Sequence, residues 1–81
     1  MRVKSVKYIR DYILEILFEN GKTKTVDLSI FLKEAINPMT TKYRKLKFFK
    51  QVKVLRGYLS WNEEMDLSAE SLYNWKNNKQ H

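Results

Sequence analysis

Residues 12–27 read YILEILFENGKTKTVD, and this stretch has the pattern of a β-hairpin. Its first half, 12–18, alternates over two faces that are both largely apolar, with Glu15 as the polar exception. Such a strand is typical of the centre of a sheet that carries a helix layer on one side. Asn20 and Gly21 accept the two positive φ angles of a type I′ turn. The stretch therefore predicts a hairpin over 12–27 with a two-residue turn and a more exposed returning strand.

The residues on either side extend this hairpin. Residues 3–9 are rich in strand formers and predict a strand before it. After it, the apolar period changes to that of a helix, at Leu28, Phe31, Leu32 and Ala35. Asp27 or Ser29 can cap this helix. Asn37-Pro38 should end it, because proline disfavours the helical conformation of the residue before it.

The second half predicts a further helix and a second hairpin. The helix covers 42–50, with Thr40-Thr41 as its cap. Two strands joined by an Arg-Gly turn are predicted at 52–54 and 58–61. The strand at 58–61 should be the last strand of the chain.

The chain should finish with one more helix. Ser68 can cap a helix over 69–77, with Ala69, Leu72 and Tyr73 on its inner face. Trp75 falls off that face. It either anchors a contact with a partner or packs against a neighbouring loop.

The expected order β-β-β-α-α-β-β-α predicts an α+β fold, a small antiparallel sheet of two hairpin units with short helices packed on one side. We expect one domain over 1–77 and a frayed C-terminal tail at 78–81. The residues expected in its core are Leu14, Ile16, Phe31, Leu32, Phe49, Trp61 and Leu72.

The residue types that carry most enzyme chemistry are scarce. The chain has no cysteine and one histidine, His81, so neither a Ser/His/Asp nor a Cys/His constellation can form around a positioned base. Gly21 and Gly57 are its only glycines and make no phosphate loop. A group of carboxylates lacks the spacing of a calcium loop, and Asp66 or Glu70 is better explained by the start of the last helix, where negative charge is favoured. These carboxylates are Glu63, Glu64, Asp66 and Glu70. We therefore expect no enzyme activity, no metal site and no cofactor.

The net charge of +7 is concentrated in the middle of the chain. Residues 35–62 hold seven Lys or Arg and no acid, which gives +7, whereas 1–34 contribute +2 and 63–81 contribute −2. Nucleic acid or an acidic protein surface is the expected counterpart of such a segment. The candidate patch consists of Lys42, Arg44, Lys45, Lys47, Lys50, Lys53 and Arg56.

This segment has two interpretations. Aromatic residues interleave with its cations, at Tyr43, Phe48 and Phe49, as in surfaces that follow phosphates and stack bases. Alternatively, the aromatics belong to the core and the cations are solvated, because a helix over 42–50 would spread them around most of its circumference. We favour the second interpretation, in which some cations pair with Glu34, Glu63 or Glu64.

Several short pieces of sequence carry a family resemblance. The first half has a Val-x-x-Val strand, the 12–18 strand closed by Glu-Asn-Gly, and Val26-Asp27-Leu28-Ser29. The second half has Phe49-x-x-Val52-x-Val54, Trp61 followed by Asp66-Leu67, and Glu70-x-Leu72-Tyr73. In this order and spacing, nearly end to end, the pieces resemble the bacterial "domain of unknown function 2442" family. Glu64 stands where that family usually has glycine, and Ala69 where it usually has proline.

The resemblance implies a small α+β domain without established catalytic residues. Relatives are often encoded beside another small protein and are regarded as candidate antitoxins of such pairs. Trp61 is expected in the core between the sheet and the last helix, and Asp66 at a turn or at the start of that helix. The structural motif consists of Asn20, Gly21, Trp61, Asp66, Leu72 and Tyr73.

These observations predict a non-catalytic bacterial protein-binding module, an antitoxin-like or regulatory partner of a neighbouring gene product. The expected partner is another small protein. The alternative is a nucleic-acid-binding module that uses the basic segment 42–56, and weak, non-specific nucleic-acid binding fits either reading. With no signal-peptide pattern and no run of about 20 apolar residues, we expect a cytoplasmic protein without a membrane partner. The oligomeric state stays open.

Overall fold

The computed structural model describes residues 1–77, so the tail predicted for 78–81 lies outside the described residues. Within that range, six strands form two three-stranded antiparallel sheets, in the orders β1-β2-β3 and β4-β5-β6. The strands are β1 (Val3–Arg10), β2 (Ile13–Phe18), β3 (Thr23–Asp27), β4 (Lys53–Leu55), β5 (Tyr58–Trp61) and β6 (Met65–Leu67). The helices are α1 (Ser29–Glu34), α2 (Pro38–Thr41), α3 (Leu46–Phe49) and α4 (Ala69–Tyr73), with a 3₁₀ turn at Lys42–Arg44. The arrangement confirms the α+β class.

The predicted hairpin over 12–27 is confirmed, and β2 is the central strand of the first sheet. It pairs antiparallel with β1 on one side and with β3 on the other. Leu14, Ile16 and Phe18 lie on one of its faces and are fully buried. Alternation along a strand places these three side chains together against the core.

The hairpin turn differs from the prediction. Gly21 has a positive φ of 90°, but Asn20 does not have one, so the two-residue type I′ turn predicted here is wrong. The loop has three residues, because Phe18 N donates to Lys22 O and Gly21 N donates to Phe18 O, both at 2.9 Å. Only the glycine of such a loop needs the left-handed conformation. Asn20 orders the loop instead, since its Oδ1 accepts from Lys22 N at 3.0 Å.

The second hairpin contains the tight turn that was predicted for the first. Leu55 pairs with Tyr58, which leaves two residues between the strands β4 and β5. Arg56 and Gly57 both have positive φ, at 49° and 87°. This is the pattern of a type I′ turn, whose twist matches that of the flanking strands.

Helix α1 has Leu28 at its cap position, without a side-chain cap, so the cap predicted at Asp27 or Ser29 is wrong, although Asp27 contributes from one residue earlier. Asp27 Oδ1 accepts from Ser29 N at 2.9 Å and so satisfies one of the free donors at the helix start. The helix ends at Glu34, before the Asn37-Pro38 pair that was expected to stop it. Asn37 and Pro38 instead begin α2, where Asn37 is the cap and Pro38 takes the first helical position.

The single helix predicted over 42–50 is wrong. Lys45 is extended, with φ −83° and ψ 123°, and separates the 3₁₀ turn from α3. Nor do Thr40-Thr41 cap a helix, because they lie at the end of α2. Tyr43 and Phe49 are both fully buried. Six residues apart on one regular helix they would point about 120° away from each other, so the break lets both reach the core.

The structure adds a strand, β6, so the predicted strand over 58–61 is not the last one. The loop before β6 has two left-handed residues, Asn62 and Glu63, with φ of 57° and 61°. The left-handed conformation therefore precedes Glu64, the position where the family usually has glycine. The turn forms without glycine, helped by Ser60, whose Oγ accepts from Glu63 N at 3.0 Å.

The last helix begins where it was predicted and ends earlier. Ser68 caps α4 by accepting from Ser71 N, and the helix stops at Tyr73 rather than at residue 77. Glu70 lies in its first turn, where negative charge is favourable. Asp66 does not take the helix-start position expected of it, because it lies exposed in β6 opposite Ser60.

A cluster of large aromatic side chains forms the centre of the core. Trp61 is fully buried, its ring lies beside those of Tyr43 and Phe49, and its Nε1 donates to Phe49 O at 2.9 Å. Six of the seven predicted core residues are buried, and Phe31 is half-buried instead. Phe31 lies at the rim because it packs edge-on against Trp75, with ring centroids 5.5 Å apart.

The segment after α4 covers the outer edge of β3. Lys24 Nζ donates to Tyr73 O and to Trp75 O, at 2.7 and 2.6 Å, and burial lowers the pKa of this lysine. The Asn77 amide donates to Thr25 O and accepts from Asp27 N, at 3.0 and 2.9 Å. These contacts satisfy strand-edge groups that would otherwise be open to another chain.

Replacing Gly21 should reveal the cost of its left-handed conformation. A Cβ at this position would have no atom within 4 Å, so Gly21→Val tests the backbone alone. We expect it to lower the free energy of unfolding by about 1–2 kcal/mol in urea denaturation. Gly21→Asn is the matched control and should cost less, because asparagine tolerates positive φ. Equal effects of both substitutions would contradict the assignment.

Truncating Trp61 should remove much of the stability. We expect Trp61→Ala to cost about 3–5 kcal/mol by urea denaturation, since it leaves a cavity at the centre of the core. Trp75→Ala is the matched control, as it removes the same group from a half-buried site, and it should cost clearly less. A loss below about 1 kcal/mol for Trp61→Ala would show that its ring does not support the core.

Candidate functional site

Arg44 is the most firmly bound of the seven candidate cations. Its Nε donates to Leu32 O at 2.8 Å, and its Nη2 donates to Lys33 O at 2.9 Å and to Ala35 O at 2.8 Å. These carbonyls belong to the end of α1, where no further helical turn supplies donors. Tyr12 OH in turn donates to Arg44 O. Arg44 therefore closes α1 and ties it to the first sheet.

Lys42 belongs to a polar network around Tyr43. Lys42 Nζ lies 3.0 Å from Glu64 Oε1, and Tyr43 OH lies 2.6 Å from the same oxygen. Tyr43 OH also lies 3.0 Å from Trp61 O and accepts from Asn62 Nδ2 at 3.3 Å. The network joins the middle segment to the loop between β5 and β6.

The network shifts the pKa of each of its three titratable groups. Hydrogen bonds from Tyr43 and then Lys42 hold the pKa of Glu64 below its usual value of 4.5. The hydrogen bond with Glu64 raises the pKa of Lys42. Burial, followed by the hydrogen bond to Glu64, raises the pKa of Tyr43. Near neutral pH the network therefore holds one carboxylate, one ammonium group and one neutral phenol.

The remaining candidate cations are divided among different surroundings. Lys42 and Lys47 both approach the half-buried ring of Phe48, each with Nζ 5.2 Å from the centroid. Lys50 Nζ lies 5.1 Å from the centroid of Tyr8 on β1. Lys45, Lys53 and Arg56 are exposed, at the helix break, on β4 and in the second hairpin turn. The seven side chains thus engage several separate elements.

The expected ion pairs form in part. Lys42 pairs with Glu64 as predicted. Across residues 1–77, neither Glu34 nor Glu63 forms an ion pair with a cation of the basic segment. Most of the contacts that hold these cations are therefore to carbonyl oxygens and aromatic rings rather than to carboxylates.

The four clustered carboxylates do not converge. Glu64 is held by Tyr43 and Lys42, whereas Asp66 lies in β6 and Glu70 in α4. In the described part of the chain, no group of three or more His, Cys, Asp or Glu side chains is arranged to hold a metal ion. His81 lies outside that part.

Among the helices that the structure describes, none has the length and apolar character needed to span a membrane.

Two exposed apolar side chains, which we call the ridge, lie where α1 leads into α2: Ile36 in the connection and Met39 in α2. Ile36 is 93% exposed and Met39 is 49% exposed. A groove of about 370 Å³ lies beside the ridge and includes Phe31, Ala35 and Thr40 in its lining. The sequence reading missed this feature. The sequence contains one signal that could have indicated the ridge. Ile36 is an apolar residue directly before Asn37-Pro38, where the chain changes direction.

Trp75, the aromatic residue predicted to lie off the face of the last helix, packs against its neighbours. It is half-buried, its ring meets Phe31 edge-on, and its Nε1 donates to Asp27 O at 3.2 Å. Of the two roles considered for it, packing against a neighbouring segment agrees with the structure.

The family resemblance is confirmed by comparison with family models. The model described as "Protein of unknown function (DUF2442)" matches residues 3–78. The chain belongs to this family. The match includes β1 to β6 and all four helices, so the ridge and the basic segment both lie within it. No curated protein matches the chain, and neither does any solved structure.

The network at Glu64 should make stability depend on pH. Because folding lowers the pKa of Glu64, the contacts of its carboxylate stabilise the folded chain above the unfolded pKa. This contribution is lost as the pH falls through the folded pKa. Glu64→Gln should therefore destabilise the chain near pH 6, and the difference from wild type should shrink towards about pH 3. Urea denaturation of both proteins between about pH 3 and pH 6 measures this difference in the free energy of unfolding.

Glu63→Gln is the matched control for this prediction, because it removes a carboxylate from the same loop, and the described contacts of Glu63 are made by its backbone. A difference between wild type and Glu64→Gln that stays constant across the pH range would contradict the role of the charged carboxylate.

Proposed function

We propose that the chain is a non-catalytic protein-binding module whose contact surface centres on the ridge of Ile36 and Met39. The observation that carries the proposal is the 93% exposure of Ile36 beside a second exposed apolar side chain and a groove. Single exposed apolar residues are common, but a ridge next to a partly apolar groove is a typical interaction site. Burying an isoleucine side chain stabilises a complex by about 1.5–3 kcal/mol.

The ridge is also well suited to contact because it is held in place. Arg44 binds three carbonyls at the end of α1, including that of Ala35, the residue before Ile36. Asn37 Oδ1 accepts from Met39 N at 2.9 Å and orders the start of α2. A surface that is ordered before binding loses less conformational entropy when the complex forms.

Nucleic-acid binding through the basic segment 42–56 is the alternative function. The observation in its favour is the half-buried ring of Phe48, whose centroid lies 5.2 Å from the ammonium groups of both Lys42 and Lys47. Phosphate binding needs cations that can turn towards one ligand. Lys42 is paired with Glu64, Lys50 lies over the ring of Tyr8 and Arg44 is fixed at the end of α1, so these cations cannot turn together towards one phosphate backbone, which favours the protein-binding proposal.

We further propose that the partner is another small protein encoded beside this chain, and that the chain acts on it as an antitoxin-like or regulatory partner. Family membership motivates this role, since relatives are often found in such gene pairs. The ridge supplies the contact that the role requires. An adapter of this kind needs no catalytic group of its own.

The test is co-expression of the tagged chain with the product of the neighbouring gene, followed by calorimetric measurement of the dissociation constant. We expect a complex that Ile36→Ser weakens by about tenfold or more, because the anchor of the interface is lost. Ile9→Ser is the matched control. It removes an isoleucine that is 40% exposed on β1, away from the ridge, and should change the affinity less than about twofold.

Two results would contradict these proposals. Equal binding by wild type and Ile36→Ser would show that the ridge is not the interface. Tight binding of duplex DNA or RNA that persists near 200 mM salt would reverse the choice of function, because weak phosphate contacts are lost at that salt. If a photo-crosslinker at position 36 captures a different protein in cells, the protein-binding proposal stands and the gene-pair role is wrong.

A further inference from the structure

On the basis of the proposed function, we infer that the ridge binds an acidic peptide segment of the partner protein. A carboxylate of that segment binds between Arg44 and Lys33, and an apolar side chain next to it fills the groove beside Ile36. The inference concerns the chemistry of the partner, which the exposure of the ridge alone does not specify. It rests on the hydrogen bonds of Arg44, on two pockets that are both lined by residues of α1, and on the charge of the chain.

Two of the N–H donors of Arg44 have no acceptor among residues 1–77 and can donate to a ligand. A guanidinium group has five N–H donors. Three of them, on Nε and Nη2, donate to the carbonyls of Leu32, Lys33 and Ala35. The two N–H groups of Nη1 have no acceptor among residues 1–77, and no carboxylate there pairs with the guanidinium. Arg44 is thus held rigidly by neutral oxygens, while no carboxylate of the described residues neutralises its positive charge.

A pocket of about 340 Å³ lies on this side of α1. Its lining combines two cationic side chains, two hydroxyl-bearing side chains and one apolar side chain. These residues are Tyr12, Ser29, Leu32, Lys33 and Arg44. A carboxylate prefers this combination, because it accepts charge-assisted hydrogen bonds from arginine and lysine and has no proton to donate.

The groove beside the ridge lies on the other flank of the same helix end. Its volume is about 370 Å³, and its lining includes Phe31, Ala35 and Ile36 as apolar residues. Ala35 links the two sites, because its carbonyl accepts from Arg44 Nη2 at 2.8 Å. A peptide that passes the end of α1 can therefore place an acidic residue in the first site and an apolar residue a few positions away in the second.

The charge around the ridge favours an acidic occupant over a second copy of the chain. The net charge is +7, so two copies repel each other. Glu34 lies in the groove lining, but Lys33 and Arg44 outnumber it at the end of α1. Complementary charge also speeds the encounter of two proteins and makes it dependent on salt. A nucleic acid would use the cations but would leave the apolar ridge unexplained.

The experiment uses a phage-displayed library of random 16-residue peptides selected on the immobilised full chain. An excess of soluble Ile36→Ser chain in solution removes peptides that bind without the ridge. We expect the selected peptides to share an apolar residue close to one or more Asp or Glu. A synthetic peptide of the consensus sequence is then titrated by fluorescence anisotropy, at low salt and at about 200 mM salt.

The decisive variant is Lys33→Glu, which reverses one charge beside Arg44 and leaves the contacts of Arg44 to backbone carbonyls in place. We expect it to raise the dissociation constant of the consensus peptide by about tenfold, because the carboxylate then meets a like charge. Lys22→Glu is the matched control. It makes the same change in net charge at the hairpin loop, at the other end of β2 from Tyr12, and should have an effect below about twofold. Urea denaturation checks that both variants fold.

The outcomes separate the two proposals. Convergence on neutral apolar peptides, with no effect of Lys33→Glu, would overturn the acidic partner and leave the protein-binding function standing. A selection that yields no peptide dependent on Ile36 would overturn both. A single-stranded RNA of 16 nucleotides that binds more tightly than the peptide, and that Ile36→Ser and Lys33→Glu both weaken, would also overturn the inference.

Discussion

The burial of the Trp61 ring against Phe49 and Tyr43 is the constraint on which the rest of the structure depends. The hydrogen bond from Trp61 Nε1 to Phe49 O joins the second sheet to the helical segment, and the edge-on contact of Phe49 with Tyr12 joins that segment to the start of the first hairpin. Each of these contacts links residues that are far apart in sequence. In a chain of 81 residues, one central aromatic cluster therefore supplies much of the cohesion between two small sheets.

This cluster determines the shape of the surface as well as the core. To bury both Tyr43 and Phe49, the chain breaks its helix at Lys45, and Arg44 is thereby carried to the end of α1. Arg44 closes that helix one turn before Asn37 and Pro38 begin the next. Ile36 lies in the short connection between the two helices, where no packed neighbour covers most of its side chain. The exposed ridge is thus a consequence of how the core is filled.

The excess of positive charge has more than one physical role. Arg44 satisfies carbonyl oxygens, Lys42 holds a carboxylate and a phenol, and Lys47 and Lys50 lie over aromatic rings. Contacts of this kind stabilise a structure without cancelling its net charge, since carbonyls and rings are neutral. The chain can therefore use its cations internally and still present a positive field to an acidic partner.

The sequence by itself determined the elements that depend on neighbouring residues. Alternation in β2, the glycines in both hairpin turns and the Ser68 cap act within a few residues, so the hairpins, the start of α4 and six of the seven named core positions could be predicted. Only the tertiary structure decided the break at Lys45, the extra strand β6 and the half-burial of Phe31, because each depends on packing against distant residues. The ridge and the N–H groups of Arg44 that meet no acceptor among residues 1–77 belong to this second class. Whether Ile36 is covered, and which oxygens Arg44 meets, depends on how separate elements come together and not on any local pattern.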